Sequence, residues 1–190
     1  MKLRQQILNA LLGMVISTFC FAVTIPPAGT FSKVTLSSPV GYWLTIDDKT
    51  DQPRGIVQIY ATKGKDGTVT LEGKTLAGLY IPGNQWRENC SGCIQPWSDK
   101  PINGMTFMWN FTQQGTSKTS PWSKGKIFDI DSNSKIYNAK IWLGDDGKSL
   151  NVRGYIAVFF RTQTWQRLDK AQVDAYKQKM QEQIKEHPMN

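Results

Sequence analysis

The stretch LNVRGYIAVFFRTQTWQR, residues 150–167, is rich in β-branched and aromatic residues, which suit a pleated and half-buried surface. It lies across two predicted strands, residues 149–157 and 161–168. Alternate residues of a strand share a face, and the second run therefore places four side chains together: Arg161, Gln163, Trp165 and Arg167. Trp165 has the strongest need for burial, so the sequence predicts that arginines share an inward-facing surface with it.

An inward arginine must be paired or stacked, because an isolated buried charge is prohibitively unfavourable. One candidate partner is the indole face of Trp43, through a cation–π contact. Two interpretations are open: the arginine closes one end of the fold by lying across Trp43, or it lines a cavity that receives an anionic or amphipathic small molecule. The candidate ligand-binding residues are Trp43, Arg153, Tyr155, Arg161, Gln163, Trp165 and Arg167.

Short apolar or alternating runs continue through the chain from Val40. They predict eight strands, at residues 40–46, 54–61, 68–80, 104–111, 124–129, 136–143, 149–157 and 161–168. Turn sequences such as Lys65-Asp66-Gly67 and Asp145-Asp146-Gly147 make short hairpin links, so neighbouring strands are antiparallel. We predict an all-β, eight-stranded antiparallel up-and-down barrel over residues 40–168, because closure removes exposed sheet edges. A β-sandwich is the alternative.

The last segment has a different character, with an apolar stripe at spacings of three and four. Val173, Tyr176, Met180 and Ile184 form this stripe, and Asp169 with Gln172 resembles a capping box. The pattern predicts a C-terminal amphipathic helix over residues 169–187. Its stripe either packs on the barrel or docks on a partner.

The N-terminus has the pattern of a secretory signal, with Lys2 and Arg4 before a mostly apolar run. Residues 1–22 are predicted to be a signal peptide, and the Pro- and Ser-containing residues 23–39 a flexible leader. A lipoprotein modified at Cys20 and an uncleaved anchor are the alternatives. The protein is predicted to be exported to the periplasm, or secreted, with no stable membrane span after cleavage.

The formal charge of +8 raises the question of a nucleic-acid partner or a membrane surface. The basic residues are scattered along the chain rather than clustered, so a weakly cationic solvated surface is expected and no nucleic-acid partner. The seven tryptophans argue against disorder.

Cys90 and Cys93 form a C-x-x-C pair, which can bind a metal, perform thiol chemistry or form a disulfide. A zinc site needs four ligands, and the single histidine, His187, lies in the tail. Thiol chemistry favours a helix start, whereas this pair lies in a predicted loop. An exported chain meets oxidants, so we predict a disulfide, no metal and no cofactor.

Because the single histidine lies in the tail, catalytic arrangements that use histidine are excluded from the barrel. The chain is therefore predicted not to be an enzyme. A hydrolase that uses two carboxylates remains an alternative, since Asp47, Asp48, Asp51, Asp145 and Asp146 all lie in turn-like places.

The chain resembles the exported bacterial family known as domain of unknown function 2147. The matching pieces are SPVGYW at 38–43, Asp47, RGIVQIY at 54–60, Cys90 and Cys93, Pro101 and Gly104, WSKGKIFD at 122–129, LNVRGY at 150–155, and RTQTWQR at 161–167. The resemblance covers about residues 38–168. It implies a lipocalin-like barrel, with Gly41-x-Trp43 in the first strand and an arginine near the last, and it implies no reaction. The C-terminal helix and the longer leader depart from this pattern.

Together these features predict an exported, non-enzymatic lipocalin-like barrel that binds a small amphipathic or anionic ligand between its strands. The first alternative is a solid-cored envelope interaction or stress module that acts through the 81–103 loop, with Trp86 and Trp97, or through the helix. The second alternative is the carboxylate hydrolase. The sequence identifies no protein partner.

Overall fold

The computed structural model describes residues 37–117, 120–131 and 135–189. The predicted signal peptide, residues 1–22, and residues 23–36 of the predicted leader lie outside the described residues. The strands and the helix discussed below all belong to the described part of the chain.

The described residues form eight antiparallel strands that close into one barrel in sequence order. The strands are β1 (Gly41–Ile46), β2 (Pro53–Lys63), β3 (Val69–Gly78), β4 (Thr106–Gln113), β5 (Trp122–Phe128), β6 (Ile136–Leu143), β7 (Ser149–Ile156) and β8 (Phe159–Leu168). Closure is made by β1 and β8, where Trp43 pairs with Arg167. The predicted barrel is therefore confirmed, and the sandwich alternative is excluded.

The up-and-down order gives the barrel two distinct ends. One end, called here the closed end, holds the start of β1, the end of β8 and the β2–β3, β4–β5 and β6–β7 connections. The other end, called here the mouth, holds the β1–β2, β3–β4, β5–β6 and β7–β8 connections.

Two of the hairpin turns have the chemistry that the sequence predicts. Gly67 and Gly147 have positive φ values of 83° and 63°, which glycine adopts without a steric penalty. The Asp146 carboxylate accepts the amide N–H groups of Lys148 (2.8 Å) and Ser149 (3.0 Å).

The β7–β8 turn is tighter than predicted. Ile156 pairs with Phe159, so only Ala157 and Val158 connect the strands, and β8 begins at Phe159 rather than at residue 161. Ala157 has a φ of 52°, a conformation that L-residues other than Asn and Asp seldom adopt. Because neither turn residue is Gly, Asn or Asp, the sequence carries no conventional signal for this turn.

A single apolar cluster occupies the interior of the barrel. Trp43 and Trp165 are 0% and 3% exposed at its centre. The other buried members are Val57, Ile59, Leu71, Met108, Phe111, Ala139, Ile141, Leu150 and Val152, with Trp122 and Ile127 of β5 packed against them. Every strand contributes to this cluster, so the core forms only when the barrel is complete.

The helix α1 (Lys170–Glu186) packs on the outer wall of the barrel. The predicted capping box is present: the Asp169 carboxylate accepts the Gln172 amide N–H, and the Gln172 side chain accepts the Asp169 amide N–H. Val173 and Met180 are buried against side chains of β1–β3 and of the segment after β3, with Tyr176 and Ile184 beside them. The apolar stripe therefore covers the barrel, which is the first of the two predicted alternatives.

The long β3–β4 connection has a small core of its own. Cys90 and Cys93 lie at disulfide-bonding distance, with their Cα atoms 5.5 Å apart. They are buried with Met105 and Phe128, and the Trp97 ring stacks on the Phe128 ring at a centroid distance of 4.1 Å. The connection is thus folded onto β4 and β5.

Candidate functional site

The seven predicted ligand-binding residues lie in four separate environments. Trp43 and Trp165 are in the core, Arg167 is at the closed end, Arg161 and Gln163 are at the mouth, and Arg153 and Tyr155 are on the outer wall. The structure therefore does not bring them together around one cavity.

Arg167 seals the closed end. Its Cζ lies 4.3 Å from the centroid of the Trp43 ring, in the cation–π arrangement that the sequence predicts. Three of its nitrogens donate to backbone carbonyls: Nε to Gly147 (2.8 Å), Nη1 to Val40 (3.1 Å) and Nη2 to Ser38 (2.6 Å). Burial lowers the pKa of Arg167 from its ordinary value. Arg167 therefore links the last strand to the segment that precedes the first strand and to the β6–β7 connection.

A line of polar contacts runs from the core to the mouth along the inner face of β8. The Trp165 Nε1–H donates to Oε1 of Gln163 (3.2 Å), and Nε2 of Gln163 donates to Oδ2 of Asp48 (2.8 Å). The guanidinium of Arg161 forms an ion pair with the same Asp48 carboxylate. The predicted alternation along β8 is thus realised, with Arg161 and Gln163 above the buried Trp165.

Asp47, the buried charged residue of the described chain at 4% exposure, organises the neighbouring β1–β2 turn. Its Oδ1 accepts the amide N–H groups of Lys49 and Thr50 and the Thr50 hydroxyl, at 3.0–3.1 Å. Its Oδ2 accepts Nη1 of Arg54 (2.9 Å) and Nδ2 of Asn84 (3.1 Å). The Asp47 carboxylate thus ties three parts of the mouth together.

The electrostatics of Asp47 follow from this set of donors. Burial alone would raise its pKa, but the hydrogen bonds from Thr50, Lys49 and Asn84 outweigh burial and hold the pKa below its ordinary value. Arg54 also forms an ion pair with Asp131 of the β5–β6 connection. The sequence places Asp47 only in a turn; its link to Arg54 and Asn84 depends on contacts that no local pattern encodes.

Arg153 lies on the outer wall, between two aromatic rings. Its Cζ is 4.3 Å from the Phe160 centroid and 5.3 Å from the Trp142 centroid, and its Nε donates to Oγ1 of Thr162 (2.7 Å). Lys140 lies over the other part of this wall, with Nζ 5.4 Å from the Trp142 centroid. Tyr155 shares the outward face of β7 with Arg153, because the two residues alternate with the buried Val152.

The β7–β8 hairpin ends in exposed apolar side chains. Its four members, called here the apolar tip, are Ile156, Val158, Phe159 and Phe160, and they are 48%, 82%, 79% and 63% exposed. Large apolar groups are seldom this exposed as a contiguous set on a protein surface, so the tip is a candidate interaction site. The sequence shows these residues as strand and turn, and their exposure follows only from the tight turn.

A shallow groove of about 460 Å³ follows the β3–β4 connection, lined by residues that include Trp97, Pro101 and Met105. Trp97 is held by its stack on Phe128, and its Nε1–H donates to the Thr106 carbonyl (3.1 Å). The aromatic groups of this loop therefore mainly support the fold.

Two further features of residues 37–117, 120–131 and 135–189 bear on chemistry. No three His, Cys, Asp or Glu side chains in this part of the chain are grouped so that they could hold a metal ion. No helix in it has the length and apolar character needed to cross a bilayer.

Comparison with known proteins identifies a family. Residues 41–167 match the model of a family described as uncharacterized protein conserved in bacteria, domain of unknown function 2147. The matched region begins with β1 and ends in β8, so it coincides with the barrel. Neither the curated proteins nor the solved structures gave a match.

Proposed function

The chain belongs to the uncharacterised bacterial family of domain of unknown function 2147, and from this premise we propose that it is an exported, non-enzymatic barrel that acts as an interaction module of the cell envelope. The observation that carries the proposal is the filled interior. Apolar side chains from all eight strands occupy the space at the level of Trp43 and Trp165, where a carrier barrel would hold its ligand.

Two elements already pack against the barrel and are therefore less available to a partner. The helix stripe packs on the barrel, and the loop residues Trp86 and Trp97 contribute to the small cores around the helix and the disulfide. Neither element offers its main apolar face to a partner. The surface best suited to contact a partner is therefore the mouth, with its apolar tip.

Export is supported by one sequence pattern and one structural contact. Lys2 and Arg4 precede an apolar run in the way that a secretory signal requires. Cys90 and Cys93 lie at disulfide-bonding distance, which suits an oxidising compartment.

The carboxylates of the mouth support a structural role rather than general acid catalysis. A catalytic acid of a glycoside hydrolase needs a raised pKa, whereas the hydrogen bonds on Asp47 lower its pKa. Asp48 is engaged by Arg161 and Gln163.

Fractionation of the source bacterium combined with native mass spectrometry tests the proposal. We expect the processed protein in the envelope fractions, with the mass of the polypeptide alone after purification under native conditions. Cytosolic protein with an intact N-terminus would reject export. A small molecule retained at one equivalent would indicate that the protein is a carrier and not an interaction module.

A small-ligand site at the mouth is the second candidate function. The contacts from Trp165 through Gln163 to Asp48 place a polar group beside Arg161, and Ile156 and Phe159 form an apolar rim on the inward side of the hairpin. An anionic amphipathic molecule would compete with Asp48 for Arg161. Titration with a fluorescent fatty acid tests this: Arg161→Gln should weaken binding about tenfold, and Lys124→Gln, at the closed end, should leave it unchanged.

A further inference from the structure

The apolar tip is apolar on both faces of its hairpin. Ile156 and Phe159 continue the inward faces of β7 and β8, because they alternate in register with Val152 and Trp165. Tyr155 and Phe160 form a pair on the outward face, and Val158 projects from the turn itself. A hairpin that docks on one protein surface needs only one apolar face. Apolar groups all around a protruding tip fit immersion in an apolar medium.

A collar of cations and aromatic rings lies below the tip on the outer wall. Arg153 is stacked between Trp142 and Phe160, and Lys140 lies over Trp142. No carboxylate among the described residues forms an ion pair with Arg153 or Lys140. Aromatic rings and cations at one level are the arrangement that membrane–water interfaces favour, because rings prefer the headgroup region and cations prefer phosphate.

The height of the tip above the collar matches the depth of an interfacial insertion. Ala157 lies four residues beyond Arg153 along the hairpin. That separation corresponds to about 13 Å along a strand and about 10 Å along the axis of a tilted barrel. Interfacial elements bury their apolar groups about 5–10 Å into the boundary between headgroups and acyl chains.

The carboxylates at the mouth are mostly paired. Asp48 forms an ion pair with Arg161, and Asp47 and Asp131 share Arg54, so two guanidinium groups offset two of these three carboxylates. The whole chain carries a formal charge of +8, which becomes +6 without Lys2 and Arg4 of the predicted signal peptide. A negatively charged bilayer therefore attracts the protein as a whole and the collar in particular.

We propose that the apolar tip inserts into the surface of an anionic phospholipid bilayer while Arg153 and Lys140 contact the lipid phosphates. The proposal rests on the interaction module proposed above and names its partner. Bilayer contact of this kind is peripheral and reversible, and it uses a hairpin instead of a spanning segment.

Flotation with vesicles tests the insertion with a matched pair of variants. The vesicles contain phosphatidylethanolamine and phosphatidylglycerol, or phosphatidylcholine alone. Val158→Asn removes an apolar group from the tip, and Val69→Asn makes the same change at the closed end, where Val69 is 46% exposed. All variants are compared as the protein that the cell has processed, so whatever part of residues 1–36 remains is the same in every sample.

We expect the wild-type protein to float with the anionic vesicles and to bind phosphatidylcholine vesicles more weakly. Val158→Asn should weaken binding about tenfold, and a double variant with Phe159→Asn about a hundredfold. Val69→Asn should bind as the wild type does. Arg153→Gln should weaken binding about fivefold on anionic vesicles and not on phosphatidylcholine. Melting temperatures check that these surface substitutions leave the fold intact.

Hydrogen exchange provides a readout that is local to the hairpin. Anionic vesicles should slow exchange in peptides from residues 153–162 of the wild type and leave the β2–β3 hairpin unchanged. Equal vesicle binding by the Val158→Asn and Val69→Asn variants, or exchange protection elsewhere, would overturn the insertion. Protection of the same peptides by a lipid-free envelope protein, without protection by vesicles, would also overturn it in favour of a protein partner.

Failure of the insertion is distinguishable from failure of the interaction module. A wild-type protein that stays in the envelope fraction but ignores every vesicle overturns the lipid partner and leaves the module in place. A wild-type protein absent from the envelope fraction overturns both.

Discussion

The guanidinium of Arg167 lies over the indole ring of Trp43 at 4.3 Å, and the two residues are also directly paired across β1 and β8. The Trp43 Nε1–H donates to the Pro39 carbonyl (2.8 Å), so the ring is fixed from its edge and its face. Gly41 completes the arrangement: a Cβ at this position would lie 2.9 Å from Nη1 of Arg167, and its φ is 144°. The Gly41-x-Trp43 pattern thus reflects the space that the arginine needs.

Removal of the Arg167 guanidinium should destabilise the barrel without changing its topology. Arg167→Gln loses the cation–π contact and at least two of three hydrogen bonds, so we expect a loss of about 2–4 kcal/mol in the free energy of unfolding. Urea unfolding followed by tryptophan fluorescence measures this loss. Arg153→Gln serves as the control, because Arg153 stacks on the outer wall and should lose less than about 1 kcal/mol. Equal stability of the two variants would contradict this stabilising role of Arg167.

The contact between Arg167 and Trp43 was predictable because it depends on simple rules. Alternation along β8 places Arg167 on the face of Trp165, and an inward arginine requires a ring or an acid. The barrel and the helix follow in the same way, from turn residues and from apolar spacing. Each of these signals is local in the sequence.

Alternation could not predict whether Arg153 lies on the same face of the sheet as the candidate site residues of β8. Alternation assigns a face within one strand, but the phase between two strands depends on the length of their turn. The Ala157-Val158 turn places Arg153 opposite Thr162, and both lie outside. The link from Asp47 to Asn84 has a similar cause, since the long β3–β4 connection returns to the mouth by tertiary packing alone.

Gly125 should tolerate no side chain. A Cβ on this residue would lie 2.3 Å from the Phe111 ring, which covers the buried glycine from β4. Gly125→Ala is therefore expected to lower the free energy of unfolding by about 1–3 kcal/mol, because the ring must leave its position. Thermal unfolding checks the loss.

Gly154→Ala is the matched control for this glycine. Its Cβ would meet Tyr137 at an ordinary contact distance of 3.6 Å, so the change should stay within about 0.5 kcal/mol. Phe111→Leu should recover part of the loss caused by Gly125→Ala. A Gly154→Ala variant as unstable as Gly125→Ala would show that the loss of stability does not come from the contact with the Phe111 ring.

The Cys90–Cys93 disulfide should stabilise the protein modestly. The bridge closes a very short loop, and the chain-entropy relation gives about 2 kcal/mol for a loop of this length. The Cys90→Ala/Cys93→Ala variant should lose about this amount, with the barrel retained. Peptide mapping without reductant should recover both cysteines in one oxidised peptide; two alkylated thiols in native exported protein would refute the bond.

The helix should detach from the barrel before the barrel unfolds. Val173 is buried against β1–β3, so Val173→Asp places a charge in an apolar interface and should abolish docking, a loss of at least about 3 kcal/mol for the helix. The interior core has no helix residue among its buried members, so near-ultraviolet circular dichroism of its tryptophans should persist. Ala171→Asp is the matched control, because Ala171 is exposed in the first turn, where an acidic residue is favourable. Loss of the near-ultraviolet signal in the Val173→Asp variant would show that the barrel depends on the helix.

Asp47 should make the mouth sensitive to acid. Its pKa in the folded protein lies below the ordinary value, because the Thr50, Lys49 and Asn84 hydrogen bonds outweigh the effect of burial. A carboxyl group with a lowered folded pKa stabilises the protein above the unfolded pKa, near 3.9, and that contribution disappears as the pH falls through the folded pKa.

Asp47→Asn isolates this contribution from those of other carboxylates, such as Asp146, whose pKa is also lowered by its turn hydrogen bonds. The amide keeps an acceptor for Thr50 but loses the charge that faces Arg54, so we expect a loss of about 1–3 kcal/mol at pH 7. Because protonation removes the same charge from the wild type, the stability difference between the two proteins should shrink steadily below pH 4. Urea unfolding at a series of pH values measures the difference. A constant difference from pH 7 to pH 2 would mean that Asp47 stabilises the turn by shape alone.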